Sequence, residues 1–260
     1  MISLLFYFFL IHRDFKAHVQ DALAARSYLL MNIPEGTKPL PWSLVNVDRP
    51  KQKMIKRLLP LEYYEWADRD RNRRLYGEDT VYLQPTMVVL HFTVIDDAEA
   101  VIRAFSRPTT IAVGNQKSVT SLVSVHYMVD KQGEIYQLAP ENRITTGSYG
   151  VDHRALAIEM VAKDEKDLMS RPMQLLNAFY LVDGLLRKHN IPVWRVYSHQ
   201  EVASGKIFLS EYTDLADTEY PYWYPKPHFR YDPGPTVMAW CREFLLRQRD
   251  LWEKHPASRR

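Results

Sequence analysis

Residues 86–94 read TMVVLHFTV, a continuous apolar and β-branched run of strand length with one histidine inside it. Such a run offers no regular polar face to water, so it reads as a strand buried within a sheet. The segments that follow supply the rest of that sheet and its cover. DDAEAVIRAFSR has an acidic first turn and places Ala98, Val101, Ile102 and Phe105 at helical spacing, which predicts a helix. SLVSVHYMVD and EIYQLAP flank a turn at Lys131-Gln132-Gly133 and predict a β-hairpin. ALAIEMVA is another short apolar run, with one carboxylate inside it. PMQLLNAFYLVDGLLRKHN opens on proline, closes on basic residues and carries Leu175, Phe179, Val182 and Leu186 on one face, the strongest helix pattern in the chain. WRVYSH gives a last strand and PTVMAWCREFLLRQRDLWEKH a C-terminal helix. Strands alternating with helices predict an α/β fold, a mixed central β-sheet flanked by helices.

A chain of 260 residues accommodates one domain with appendages or two small ones, and one well-filled core is the simpler reading. Residues 30–85 read as an irregular, proline-punctuated lead-in that ends in EYYEWADRDRNRRLYGED, whose interleaved charges suit a solvated face. The expected division is therefore an N-terminal apolar segment and lead-in over 1–85 and a domain over 86–260. A net charge of +3 is too small to imply nucleic acid, although a mild basic bias suits an anionic polymer such as a cell wall. Cys241 is the only cysteine, so no intramolecular disulfide and no Cys-rich zinc finger can form. Any metal must be held by carboxylates and by some of the nine histidines.

The first eleven residues, MISLLFYFFLI, fall short of the about 20 that a membrane-spanning helix needs. They compare better with the apolar core of a signal peptide, with Ala22-Leu23-Ala24 as a cleavage site, but no Lys or Arg precedes them and the stretch that follows is long and charged. The alternatives are an apolar segment packed on the domain and a misplaced start. Export to the periplasm or cell envelope and a cytoplasmic location both stay open, and membrane contact is expected only if this segment acts as an anchor.

Three polar residues lie at strand ends or in adjoining loops: His91, His199 and Asp232, the last opening the turn DPGP. Each alone has an ordinary explanation, including Asp-Pro-Gly turn chemistry for Asp232. Together they offer three protein ligands to zinc with a fourth position left open, the arrangement of catalytic zinc. Their spacing alone does not decide between these readings.

VVLHFTV, SVHYMVDKQGEIYQL, ALAIEMV, VYSHQEVASGK and DPGP, in that order, resemble the zinc-dependent N-acetylmuramoyl-L-alanine amidases, the type-2 family that includes phage lysozyme-like amidases and peptidoglycan recognition proteins. The resemblance covers about residues 86–250. It implies an amidase-like fold, hydrolysis of the amide between N-acetylmuramic acid and L-alanine in peptidoglycan or muropeptides, and Zn2+ on His91, His199 and Asp232. Pro233 and Gly234 would then fix the backbone that aims Asp232 at the metal. Glu159 matches the catalytic glutamate of the family, and its apolar context is independently costly for a buried, unpaired carboxylate.

Further site residues follow from the same resemblance. Arg230 stands where many members carry a lysine that stabilises the oxyanion, and it keeps the charge with a planar fork in place of a point charge. His126 matches a position that is often histidine, with a hydrogen-bonded structural role as the alternative to substrate contact. Ile144-Thr145-Thr146-Gly147 replaces a Trp-His-Ala-Gly segment, so that Thr145 stands where a substrate-contacting histidine is expected. Residues 200–231 form a long insertion rich in aromatics and prolines, in which Tyr222 and Trp223 are candidates for a sugar-stacking or peptide-binding wall and His228 is a competing metal ligand. Packing of that loop on its own side chains is the alternative. A zinc hydrolase acting on a different amide and a non-catalytic peptidoglycan-binding module are the alternatives to an amidase.

Overall fold

The computed structural model describes residues 39–41, 44, 50, 53–113, 116–203 and 230–254. In chain order the strands are β1 (Met54–Lys56), β2 (Met87–Phe92), β3 (Thr109–Val113), β4 (Gln116–Ser121), β5 (Tyr127–Val129), β6 (Ile135–Gln137), β7 (Ala155–Met160) and β8 (Val196–Ser198). The helices are α1 (Glu65–Tyr76), α2 (Ala98–Phe105), α3 (Glu165–Met169), α4 (Pro172–Lys188), α5 (His199–Ala203) and α6 (Pro235–Lys254). Six strands form one sheet in the order β1-β6-β5-β7-β2-β8, and β3 and β4 form a separate hairpin. The sheet is mixed: β5 and β6 are antiparallel, whereas β5–β7, β7–β2 and β2–β8 run parallel. The α/β architecture with a mixed, helix-flanked sheet is thus as the sequence pattern predicts.

Strand β2 is buried along its whole length, as its unbroken apolar run requires. Its even-numbered side chains Val88, Leu90 and Phe92 join Leu156, Ile158 and Met160 of β7 in a core shared with Leu175, Phe179 and Val182 of α4 and Val237, Trp240 and Phe244 of α6. The odd-numbered side chains Met87 and Val89 pack with Ala155, Tyr197 and Val202 on the opposite face. That alternation places His91 on the second face, away from α4 and α6. Asp97 caps α2 by accepting a hydrogen bond from the Ala100 amide at 2.7 Å, as its acidic start suggests. The hairpin across residues 130–134 is also as expected, with Gly133 at φ +85°.

Two features depart from the sequence reading. The sheet begins before residue 86: β1 pairs in parallel with β6, so residues of the expected lead-in form an edge of the sheet. Second, EWADRDRNRRLY is not a solvated face but helix α1, in which Asp68, Asp70, Arg71 and Asn72 are buried. Two of its buried charges meet partners remote in sequence: Asp68 pairs with Arg143 at 2.8 Å and accepts from the Ser121 hydroxyl, and Arg71 pairs with Asp152, whereas Asp70 pairs with Arg73 and Arg74 of the same helix. No helix among the described residues is long and apolar enough to cross a membrane, and the apolar stretch 1–11 lies outside those residues.

Arg143→Leu would leave Asp68 buried without its cation. The expected loss of stability is about 3–5 kcal/mol in urea unfolding, against less than about 0.5 kcal/mol for Arg69→Leu on the exposed side of α1. Equal and small losses would return α1 to the status of a solvated appendage.

Candidate metal centre

The parallel register of three strands builds most of the site. His91 of β2 pairs directly with Glu159 of β7, and Leu90 pairs with Ser198 of β8, so that His199 follows at the same edge. This edge is the carboxyl end of all three strands, where ligand sites of α/β sheets lie. His199 is the first residue of α5, whose start is fixed by a reciprocal capping box. The Ser198 hydroxyl accepts from the Glu201 amide at 2.9 Å, while the Glu201 carboxylate accepts from the Ser198 amide at 2.8 Å. Arg242 of α6 donates to the same carboxylate at 2.8 Å and ties the cap to the C-terminal helix.

Asp232 arrives from a different part of the chain. Gly234 lies at φ +99°, and a Cβ there would come within 2.2 Å of Glu165 Cδ, so only glycine fits. Glu165 Oε1 accepts from the amides of Thr236 at 2.6 Å and Val237 at 3.0 Å, satisfying donors that the first turn of α6 leaves free. A further bond runs from the Gln200 amide to the Asp232 carbonyl at 3.1 Å. The Asp232–Pro233 peptide is cis. The turn is thereby clamped between α3, α5 and α6, as the rigid Pro-Gly pair suggests.

His91, His199 and Asp232 converge. Asp232 Oδ2 lies 3.3 Å from His91 Nδ1 and 3.1 Å from His199 Nδ1, and one ligand atom from each residue lies within 4.8 Å of the others. The two imidazoles meet edge to face, with centroids 4.5 Å apart. Zinc bonds of about 2.0–2.2 Å in tetrahedral geometry separate neighbouring ligand atoms by roughly 3.3 Å, which the two histidine–aspartate spacings match. The donor set, two imidazole nitrogens and a carboxylate oxygen, is that of an open zinc site. The other nitrogen of His91, Nε2, lies 3.1 Å from Ser148 Oγ, the kind of outer hydrogen bond that fixes the tautomer of a ligating histidine.

The electrostatics follow from burial. Burial opposes ionisation of Asp232, but hydrogen bonds from His199 and His91 and their charge outweigh it, and the carboxyl lies well below the usual carboxylate range. Burial and the charge of His91 lower the pKa of His199 against the pull of Asp232. Glu159 moves the other way, pushed well above the ordinary glutamate value by burial and by the Asp232 charge. Its Oε2 atom is buried with no hydrogen-bond partner among the described residues. A carboxylate so placed is poised to take up a proton.

The remaining candidates divide. Arg230 is exposed, and its charge reaches His199. His126 is fully buried, and its Nδ1 accepts from the Ala157 amide at 3.0 Å while Nε2 donates to the Arg143 carbonyl at 2.8 Å. Both nitrogens are spent on backbone, which leaves no polar atom for a substrate and assigns His126 to the structural role. Thr145 is 1% exposed, with no partner for its hydroxyl among the described residues. Tyr222, Trp223 and His228 lie outside the described residues. Ser148 and Glu165 escape sequence reasoning because their partners are 57 and 71 residues distant. The Ser-His-Gln-Glu capping box at 198–201 is a local signal that could have been read.

Residues 81–210 match the family described as N-acetylmuramoyl-L-alanine amidase. The matched span contains His91, Glu159 and His199 and ends before Asp232, which only the folded chain brings to them. Among solved structures, the endolysin N-acetylmuramoyl-L-alanine amidase LysCS from Clostridium intestinale URNW is 19% identical with a TM-score of 0.39, covering 60% of this chain and 86% of its own. A mutant endolysin from Bacillus subtilis is 18% identical with a TM-score of 0.40, covering 66% and 99%. The Staphylococcus aureus hydrolase AmiA is 14% identical with a TM-score of 0.46, covering 84% and 97%. No curated protein sequence matches the chain significantly.

Replacing Gly234 tests whether the turn sets the carboxylate. In Gly234→Ala the new Cβ must displace Glu165, whose carboxylate holds the Thr236 and Val237 amides just after Asp232. Zinc affinity measured by chelator competition is expected to fall about 10–100-fold, the usual effect of disturbing an outer-shell support. Unchanged affinity would separate the turn from the metal centre.

Proposed function

The chain belongs to the N-acetylmuramoyl-L-alanine amidase family, and from that premise we propose that it hydrolyses the amide between the lactyl group of N-acetylmuramic acid and L-alanine in peptidoglycan or muropeptides, with zinc on His91, His199 and Asp232. The observation that carries this reading is the convergence of three ligand atoms beside a glutamate of raised pKa. When bound, zinc would polarise the scissile carbonyl and acidify water at the site.

The protein's own groups do the rest. His91 and His199 would each present Nδ1, and Asp232 would present Oδ2, without rearrangement of the backbone. Glu159 faces the same edge of the sheet through its register with His91, and its orphaned Oε2 would take the proton of the attacking water. The raised pKa then lets the protonated carboxyl return that proton to the leaving amine nitrogen. Arg230, exposed and near enough to influence His199, would offset negative charge on the carbonyl oxygen.

One observation favours a second reading, a hydrolase of the same type acting on a different amide. Ile144 and Thr145 are buried, and the Thr146 hydroxyl donates to the Leu122 carbonyl at 2.7 Å, so this segment is committed to packing. Recognition of the muropeptide would then fall to other residues.

Mass spectrometry of muropeptides incubated with the zinc-loaded protein tests both readings. The expected products are glycan freed of peptide and peptide with a free L-alanine amine. In Glu159→Gln the rate is expected to drop about 10²–10⁴-fold with zinc content unchanged. Unaltered muropeptides would favour the second reading or a non-catalytic binding module, and undiminished turnover in Glu159→Gln would remove that residue from the mechanism.

A further inference from the structure

Resting on the metal centre proposed above, we propose that Arg71 of helix α1, which precedes the family-matched residues, is a positioning residue for His91, acting through Asp152 and Ser148. Each link is a direct polar contact. Ser148 Oγ lies 3.1 Å from His91 Nε2, the nitrogen on the far side of the ring from Asp232. The Ser148 amide donates to Asp152 Oδ1 at 2.6 Å, closing the 148–152 turn on itself. Asp152 Oδ2 then accepts from Arg71 Nη2 and from the Tyr76 hydroxyl, the latter at 3.0 Å. Both donors come from α1. The Tyr76 hydroxyl in turn accepts from the Gly150 amide at 3.2 Å, so the helix grips the turn at two points.

The chain of contacts is sealed from solvent: Asp152 is 0%, Arg71 1% and Ser148 1% exposed. Arg71 is the only salt-bridge partner of Asp152 among the described residues. A buried carboxylate deprived of its cation must protonate or move, and either change reaches Ser148 through their shared hydrogen bond. His91 is constrained accordingly. With a metal bound, donation from Nε2–H to Ser148 Oγ would leave the Nδ1 lone pair facing Asp232 and His199, in the form a metal requires. The stack of Tyr76 on His153, with centroids 4.1 Å apart, fixes α1 against this turn, and the bond from Asn72 Nδ2 to the Thr80 carbonyl at 2.8 Å ties the helix to the segment that follows it. A segment that local sequence presents as a charged lead-in therefore holds the orientation of a metal ligand.

The test is a mutant cycle on the full chain, with zinc affinity measured by chelator competition and ligand geometry by the visible spectrum of the cobalt-substituted protein. Ser148→Ala is expected to weaken zinc about 10–100-fold and to shift the cobalt absorption, and Ser148→Thr, which keeps the hydroxyl, to restore both. Arg71→Lys keeps the charge but loses the fork, and is expected to weaken zinc alone but to add no further loss to Ser148→Ala. Should Arg71→Lys fail to fold by circular dichroism, Tyr76→Phe takes its place in the cycle. Independent, additive losses, or affinity and spectrum unchanged in both single variants, would overturn the proposal. Absence of zinc binding by the unaltered protein would instead overturn the metal centre on which it rests.

Discussion

Parallel pairing of β7, β2 and β8 is the constraint from which the site follows. Because the three strands run the same way and in the observed register, His91 and Glu159 face each other across one hydrogen-bonded pair and His199 follows the end of the third strand. A slip of one residue between β2 and β7 would send one of the two side chains to the opposite face, into the core formed with α4 and α6. That core guards the register, since Val88, Leu90, Leu156 and Ile158 are all fully buried on that face. The apolar burial that stabilises the sheet is thus also what juxtaposes His91 and Glu159.

Asp232 depends on a different set of forces. No strand carries it. Its backbone is held by a turn that only glycine can complete, by the Glu165 carboxylate on the amides of α6, and by the Gln200 amide on its carbonyl. Its charge is compensated by two imidazoles in a buried setting. Together with burial the same charge raises the pKa of Glu159, so in the proposed mechanism one carboxylate would serve both as a ligand and as a group that tunes the base. The division of labour between them is electrostatic: two carboxylates share a site, and their unequal partners push their pKa values apart.

Much of this was legible in the sequence. The runs over 86–94 and 155–162 have the period and length of buried strands, and helices α2, α4 and α6 show their apolar stripes and caps. The three candidate ligands and Glu159 were readable from resemblance, not from spacing. Helix α1 was misread because its buried face is charged: Arg71 and Asp68 look solvated until Asp152 and Arg143, which stabilise them, are placed by the fold. Strand β1 has only three residues, too few for a periodic signal. Between the sequences of β3 and β4 stands Gly114-Asn115, a dipeptide type common in hairpin connections. Ser148 and Glu165 had no local signature, since each acts on a residue that only tertiary structure brings near.

The central claim is that His91, His199 and Asp232 are the three protein ligands of one zinc ion, with Glu159 beside it. Anomalous diffraction at the zinc absorption edge from crystals of the zinc-loaded full chain tests this most directly. The account predicts one strong peak bonded to His91 Nδ1, His199 Nδ1 and an Asp232 carboxylate oxygen, with no fourth protein ligand. A zinc ion that takes His228 in place of Asp232, or one held elsewhere with these three residues unmetallated, would contradict it.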